Sequence, residues 1–207
     1  MADLVKWCDT EIPDRMVEII ISDLMKNDNE TSTGLTVGQT LNKRIRDSKI
    51  YFFSASNWIG SFLWYYINKV NKQTFMYDVE DYDANVLQYT LYEEGQFYSW
   101  HRDQDVNNFF EKDTMPTSDR DSQENLASDT VNILSERIRK LSFSLQLNAD
   151  FGGGNLEFED NDGRIHSMDT VPGRLHIFDS RTKHRIQPVT SGVRKSLVGW
   201  IVGPRWK

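Results

Sequence analysis

Between Leu141 and Leu147 the chain alternates without a break. Leu141, Phe143, Leu145 and Leu147 stand against Ser142, Ser144 and Gln146. A repeat of two fits an extended strand, because successive side chains of a strand leave opposite faces. The pattern predicts a half-buried strand from Lys140 to Asn148. Val86 to Tyr92 alternates too, with Val86, Gln88, Thr90 and Tyr92 on one face and Leu87, Tyr89 and Leu91 on the other. Glu93 to Gln96 reads as a turn and Phe97 to Asp103 as the next strand. The three glycines after Phe151 mark unusual backbone rather than a phosphate loop, since no Gly-Lys-Ser/Thr follows. Further strands are predicted at 155–159, 164–168, 175–178, 184–187 and 193–202. Turn signals separate them at Asn161-Asp162-Gly163, at Val171-Pro172-Gly173 and from Pro188 to Gly192. So many short strands at regular spacing predict a barrel or a sandwich.

Upstream the period changes. Pro13 and Asp14 open a helix whose apolar face carries Met16, Val17, Ile20 and Leu24, flanked by Ile19 and Ile21, and which ends near Lys26. Asn27 to Gly34 reads as a loop and Lys49 to Phe53 as a short strand. Asn57 is an N-cap for a helix from Trp58 to Asn71, with Ile59, Phe62, Leu63, Tyr66, Ile67 and Val70 at helical spacing. Its aromatic residues read as packing against a sheet. Residues 104–135 break every pattern, being rich in Asp, Asn, Ser and Glu. They read as a flexible insertion, either a lid or an ordinary loop. A short helix is predicted from Val131 to Arg139.

The chemistry points to His101-Arg102-Asp103. On a strand, residues i and i+2 share a face, so one imidazole and one carboxylate aim at a single point. A distant histidine would complete two histidines and a carboxylate on one side of a metal, an arrangement that suits non-heme Fe(II). Alone, His-x-Asp is a weak signal, and most such triplets are surface polar residues. The remaining histidines are His166, His176 and His184, and spacing does not choose among them. His166 lies near a predicted hairpin, and His176 alternates with Leu175 and Ile177 as a core-edge residue would. Asp105 is a rival to Asp103, but four strand residues put it roughly 13 Å from His101 unless a bulge intervenes.

Composition excludes several classes. The chain has 207 residues, 38% hydrophobic and 12% aromatic, which is a globular composition and fits a single domain. A formal net charge of -7 disfavours a nucleic-acid backbone binder. The single cysteine, Cys8, leaves no disulfide framework and points to a reducing compartment. Met1 to Thr10 has no apolar core of a signal peptide, and no run is long enough to span a membrane. The expectation is a cytoplasmic protein; the oligomeric state is open.

The second half resembles a known family. Leu91 to Asp103 resembles the block Tyr92-x-x-Gly95-x-x-Tyr98-x-x-His101-x-Asp103 of prolyl-4-hydroxylase-like Fe(II)/2-oxoglutarate dioxygenases, the PKHD-type members above all. Arg139 to Phe158 is similar to the next block. Pro172-Gly173 to Phe178, His184 to Pro188-Val189, Gly192 and Arg194-Lys195-Ser196 are similar to the last. The resemblance covers about residues 86 to 202, and its motifs are specific as an ordered set. It implies a mostly β protein with a double-stranded β-helix core, a distorted jelly roll, packed by the N-terminal helices. Residues 1–207 would form one catalytic domain, with 1–85 as support, 86–202 as core and 104–135 as insertion.

It further implies that His101, Asp103 and His184 hold Fe(II), and that Arg194 binds the distal carboxylate of 2-oxoglutarate. A guanidinium fork matches a carboxylate and keeps its charge. Alternation puts Arg194 inward with Ser196 beside it, and Lys195 outward. Tyr92 stands where the family often has a tyrosine near the co-substrate. The expected turn from Pro188 to Gly192 would set His184 and Arg194 on adjacent strands. Leu145 is a departure, since some relatives carry another co-substrate tyrosine there. Collagen-type animal and plant enzymes have lysine in place of Arg194. The implied reaction is hydroxylation of a prolyl or similar residue in a peptide or protein, with 2-oxoglutarate decarboxylated to succinate and CO2. Ascorbate is implied as an accessory. The rivals are hydroxylation of a free amino acid or other small molecule, nucleic-acid demethylation, which the charge disfavours, and a non-catalytic binding barrel.

Overall fold

The structure is a computed structural model that describes residues 7–26, 31–33, 45–104 and 137–206. The predicted insertion lies outside the described residues apart from Gln104, and the rival Asp105 lies outside them too. In chain order the strands and helices are β1 (Trp7–Glu11), α1 (Asp14–Lys26), β2 (Thr31–Thr33), β3 (Arg46–Asp47), β4 (Lys49–Ser54) and α2 (Trp58–Val70). A π-helical turn, Asn71–Phe75, extends α2. Then come β5 (Asp81–Tyr82), β6 (Val86–Tyr92), β7 (Phe97–His101), β8 (Arg137–Gln146), β9 (Phe151–Gly153), β10 (Leu156–Glu159) and β11 (Ile165–Ser167). The chain closes with β12 (Arg174–Asp179), β13 (Lys183–Ile186), β14 (Val189–Gly192) and β15 (Arg194–Pro204).

The strands form two facing layers. An eight-stranded sheet runs β1-β12-β8-β15-β6-β4-β2, with β5 on β15. A five-stranded sheet runs β11-β10-β13-β7-β3, and β14 pairs with β9. Every pairing is antiparallel. The fold is a double-stranded β-helix, a jelly roll with helical support, as the family resemblance implies.

The helices cover the outer face of the larger sheet. Val17, Ile20 and Leu24 of α1 and Ile59, Leu63 and Ile67 of α2 pack on Leu87, Leu141, Leu145, Leu175 and Ile177. Each such side chain contributes about 1.5–3 kcal/mol by leaving water. Asn57 caps α2, its side-chain oxygen accepting from the Gly60 amide at 3.0 Å. Gly60 is required there, since a Cβ would lie 1.9 Å from the Ala55 carbonyl oxygen.

Several expectations need correcting. β8 is not half-buried: Ser142, Ser144 and Gln146 are 1%, 5% and 3% exposed. It is an inner strand between β12 and β15, with helices on one side and the smaller sheet on the other. Its polar face therefore turns into the barrel, not to water. Arg137–Arg139, expected to end a helix, begins β8; the rest of that helix lies outside the described residues. Thr31–Thr33, expected as loop, pairs with β4. Val189–Gly192 is a strand rather than a turn, and it places β13 and β15 in different sheets. His184 and Arg194 thus face each other across the barrel instead of lying on neighbouring strands. β14 pairs with the glycine run, where Gly153 and Gly154 have φ of 65° and 64°. A Cβ on Gly153 would lie 2.5 Å from the Pro188 carbonyl oxygen.

Candidate metal centre and co-substrate pocket

β7 and β13 are paired so that His101 and His184 are direct Cα partners. This pairing sets His184 beside His101, a neighbourhood that spacing does not reveal. His101, Asp103 and His184 offer ligand atoms that all lie within 4.8 Å of one another. The Nε2 of His101 is 3.7 Å from one Asp103 oxygen, and the Nε2 of His184 is 3.6 Å from the other. His166 instead pairs with Asp160 at 2.8 Å on the β10–β11 hairpin, and His176 with its cross-strand partner Asp9 on β1 at 2.8 Å.

Both site imidazoles are held by their other nitrogen. The Nδ1 of His101 lies 2.8 Å from the Ser99 carbonyl oxygen, and that of His184 lies 2.9 Å from Thr182's. A carbonyl only accepts, so each Nδ1 carries the proton and each Nε2 keeps its lone pair. Tyr98 stacks on His101 with ring centroids 3.5 Å apart, and Phe178 meets His184 edge-on at 4.7 Å. Asp103 lies two residues past the end of β7, so the pleat does not aim it. Its amide donates to the Ser180 carbonyl at 3.0 Å. Two fixed imidazole lone pairs and a buried carboxylate are a donor set that fits a divalent non-heme iron.

Burial, then the neighbouring His184, pushes His101 down to about 3 from its ordinary 6.5. It is therefore neutral at physiological pH and can ligate without losing a proton. Burial opposes the charge on Asp103, but His184 and His101 outweigh it and hold the carboxyl below its usual value. A pH dependence follows. Unfolded, His101 takes a proton near 6.5; folded, only near 3. Between those values the unfolded chain binds more protons, so acid favours unfolding. The metal-free protein is expected to be stable above pH 6.5 and to lose on the order of a few kcal/mol as pH falls toward 3. Asp103 adds a loss in the same direction as pH falls below 3.8. Urea unfolding of chelator-treated protein across this range tests it, and His101→Asn should flatten the upper part. Unchanged stability from 6.5 to 3 in the wild type would contradict the burial argument.

Across the cavity stands Arg194, 2% exposed, on the face of β15 that also presents Ser196, Val198 and Trp200. Its Nη1 donates to the Ser196 hydroxyl at 2.8 Å, and its guanidinium lies 5.7 Å from the Tyr92 ring. Tyr92 and Arg194 are Cα partners on β6 and β15. Burial lowers Arg194 to about 10, so it stays charged at neutral pH. Among the described residues no carboxylate pairs with it, and a buried unpaired cation is costly. An anionic ligand in this cavity would supply the counter-charge. Lys195, on the opposite face, is partly exposed.

The same cavity is lined by residues that sequence reasoning did not single out. Gln88 and Thr90 share β6's inward face with Tyr92, and their alternation with apolar neighbours was the available signal. Trp200 could have been found by stepping in twos from Arg194. Arg46, whose guanidinium lies 4.8 Å from the Tyr98 ring, has no local signal, because it comes from a two-residue strand far upstream. Leu145 faces the helix-packed core, so its departure from the family pattern leaves the cavity wall untouched; its neighbour Ser144 lines that wall.

A jelly roll whose inner faces bring two imidazoles and a carboxylate opposite a buried arginine defines a double-stranded β-helix protein fitted for a metal and an anionic ligand. The model of the 2OG-Fe(II) oxygenase superfamily matches residues 87–202, and the chain belongs to that family. A PKHD-type hydroxylase of Acaryochloris marina is 43% identical over 63 residues, which is 30% of this chain and 28% of that protein. In fold, the chain is similar to a Pseudomonas putida prolyl-4-hydroxylase, with TM-score 0.67 and 21% identity, covering 95% of this chain and 92% of that one. It is similar as well to a Trichoplax adhaerens prolyl hydroxylase in complex with a hypoxia inducible factor peptide fragment. That match has TM-score 0.67 and 16% identity, covering 95% and 83% of the two chains. No helix among the described residues is long and apolar enough to cross a membrane.

Proposed function

We propose that the protein is an Fe(II)- and 2-oxoglutarate-dependent hydroxylase of prolyl or similar residues in a peptide or protein. The observation that carries this is the placement of His101, Asp103 and His184 in one cavity with the buried Arg194. His101, Asp103 and His184 would hold the iron. Bound together, Fe(II) and 2-oxoglutarate supply O2 activation, with the keto acid decarboxylated to succinate and CO2 and one oxygen atom placed on a C–H bond.

The chain's own residues bind, orient and shield. Arg194 takes the far carboxylate of 2-oxoglutarate, and the Ser196 hydroxyl fixes the guanidinium. Tyr92 walls the same end. The Ser99 and Thr182 carbonyls keep both imidazoles in the ligating tautomer. Leu156, Phe178 and Ile186 line the cavity and keep water out. Prolyl hydroxylation is favoured by the kinship with PKHD-type hydroxylases and by the peptide-bound prolyl hydroxylase of like fold. Ascorbate enters this reading as a reductant that keeps the iron ferrous. The single Cys8 fits a reducing, cytoplasmic setting.

The test is mass spectrometry of proline-containing peptides, and in a separate arm free amino acids, after incubation with protein, Fe(II), 2-oxoglutarate and ascorbate. Peptides should gain one oxygen with matching release of succinate. Gain by free amino acids alone would move the substrate to the small-molecule class. Iron-loaded protein that releases no succinate in either arm would end the hydroxylase reading.

A further inference from the structure

The turn between β12 and β13 holds the site from behind. Its three consecutive carbonyls each support a different part. The Ser180 carbonyl accepts from the amides of Asp103 and Gln104 at 3.0 and 2.9 Å. The Arg181 carbonyl accepts from the Arg102 guanidinium. The Thr182 carbonyl accepts from His184 Nδ1 at 2.9 Å. A shift of this turn would therefore move the carboxylate and one imidazole together.

The turn is itself braced by one buried carboxylate, Asp179, 6% exposed. One oxygen accepts from the Arg181 amide and Nε, both at 2.8 Å. The other accepts from the Tyr77 hydroxyl at 2.6 Å and from the Arg181 Nη2. Tyr77 follows the π-helical turn after α2, so the bond ties the site to the helical layer. Trp206 closes the cluster from outside: its ring lies 4.6 Å from Tyr77's, 4.8 Å from the Arg181 guanidinium and 3.4 Å from the Lys140 ammonium. None of these groups reaches the metal site.

We propose that Asp179 is a positioning residue of the metal centre, acting with Tyr77 through the Ser180–Thr182 carbonyls. The proposal rests on the reading of His101, Asp103 and His184 as metal ligands. Charge-assisted hydrogen bonds to a buried carboxylate are short and directional, which suits a brace. Outer-shell groups that orient ligands typically set metal affinity by tenfold to a hundredfold.

Co(II) titration of the metal-free full chain tests this, using the cobalt ligand-field bands as readout. Asp179→Asn is expected to weaken Co(II) binding by about tenfold to a hundredfold and to shift the bands at saturation. Tyr77→Phe, which removes only one hydroxyl, should give a smaller loss in the same direction. Asp160→Asn, which breaks the hairpin ion pair, should match wild type. Melting of the metal-free proteins separates a misplaced turn from a loosened fold; should Asp179→Asn fail to fold, Tyr77→Phe decides. Wild-type affinity and spectrum in the folded variants would overturn the proposal while the metal site stands. Wild type that binds Co(II) no better than His184→Ala would remove the metal-site reading and this proposal with it.

Discussion

His184→Ala is expected to abolish Fe(II)-dependent turnover while the metal-free protein stays folded, and His101→Ala and Asp103→Ala should do the same. The three ligand atoms lie within 4.8 Å of one another, and no other described His, Cys, Asp or Glu group gathers in this way. Removing one leaves two donors, so the loss in iron affinity should exceed the roughly tenfold to hundredfold of an outer-shell change. The fold should survive because the site adds little to the apolar core. His101 even opposes folding in acid. The other histidines give the contrast. His166→Ala breaks a surface pair with Asp160 and should leave turnover near wild type. His176→Ala removes a buried ring bonded to Asp9 and should lower stability more than activity. Turnover assays under saturating Fe(II), with calorimetry on each variant, check the set. Wild-type turnover in His184→Ala would show that the third ligand is misassigned.

Arg194→Ala should weaken 2-oxoglutarate by on the order of a hundredfold while Fe(II) binding survives. The guanidinium is buried, bonded to Ser196 and placed across the barrel from the imidazoles. A dicarboxylate chelating iron at its keto-acid end would leave its far carboxylate beside this group, and without it a buried anion would have no partner. Arg194→Lys should fall between, since lysine keeps the charge but loses the fork. Lys195→Ala should have little effect. Anaerobic titration of 2-oxoglutarate into Fe(II)-loaded protein, followed by the metal-to-ligand charge-transfer absorption, measures it. If Lys195→Ala is the damaging change and Arg194→Ala is not, the inward face of β15 is misassigned.

What could be read from the sequence was whatever depends on near neighbours. The Asn57 cap of α2, the apolar stripes of α1 and α2 and the extended runs of β6, β8 and β15 are local, and these elements form where expected. Sheet partnership is not local. β13 pairs with β7 and β10, not with β15, so nothing in the spacing of His184 shows that it faces His101. Asp103 was found by a strand argument that holds only to His101; a carbonyl from the β12–β13 turn completes its placement. β8 misled for a related reason. Serines and glutamine on one face imply solvent in a two-layer sheet, but imply a polar lumen when a second sheet covers that face. Pro188 to Gly192 carries turn residues, yet Val189–Gly192 pairs, with a bulge, against the glycine run of β9, a pairing visible only once both are folded.

The division of labour between the sheets has a mechanical consequence. His101 and His184 belong to the five-stranded layer, Arg194 and Ser196 to the eight-stranded one. A molecule gripped at both ends would act as a strut, fastening two layers that share no strand pairing among the described residues. Iron alone, if held by His101, Asp103 and His184, would sit on one layer and could not do this. Filling the cavity should therefore stiffen the barrel across its narrow dimension, and product leaving should release it. The layers would then be tightest while reactants are in place and free to part between turnovers.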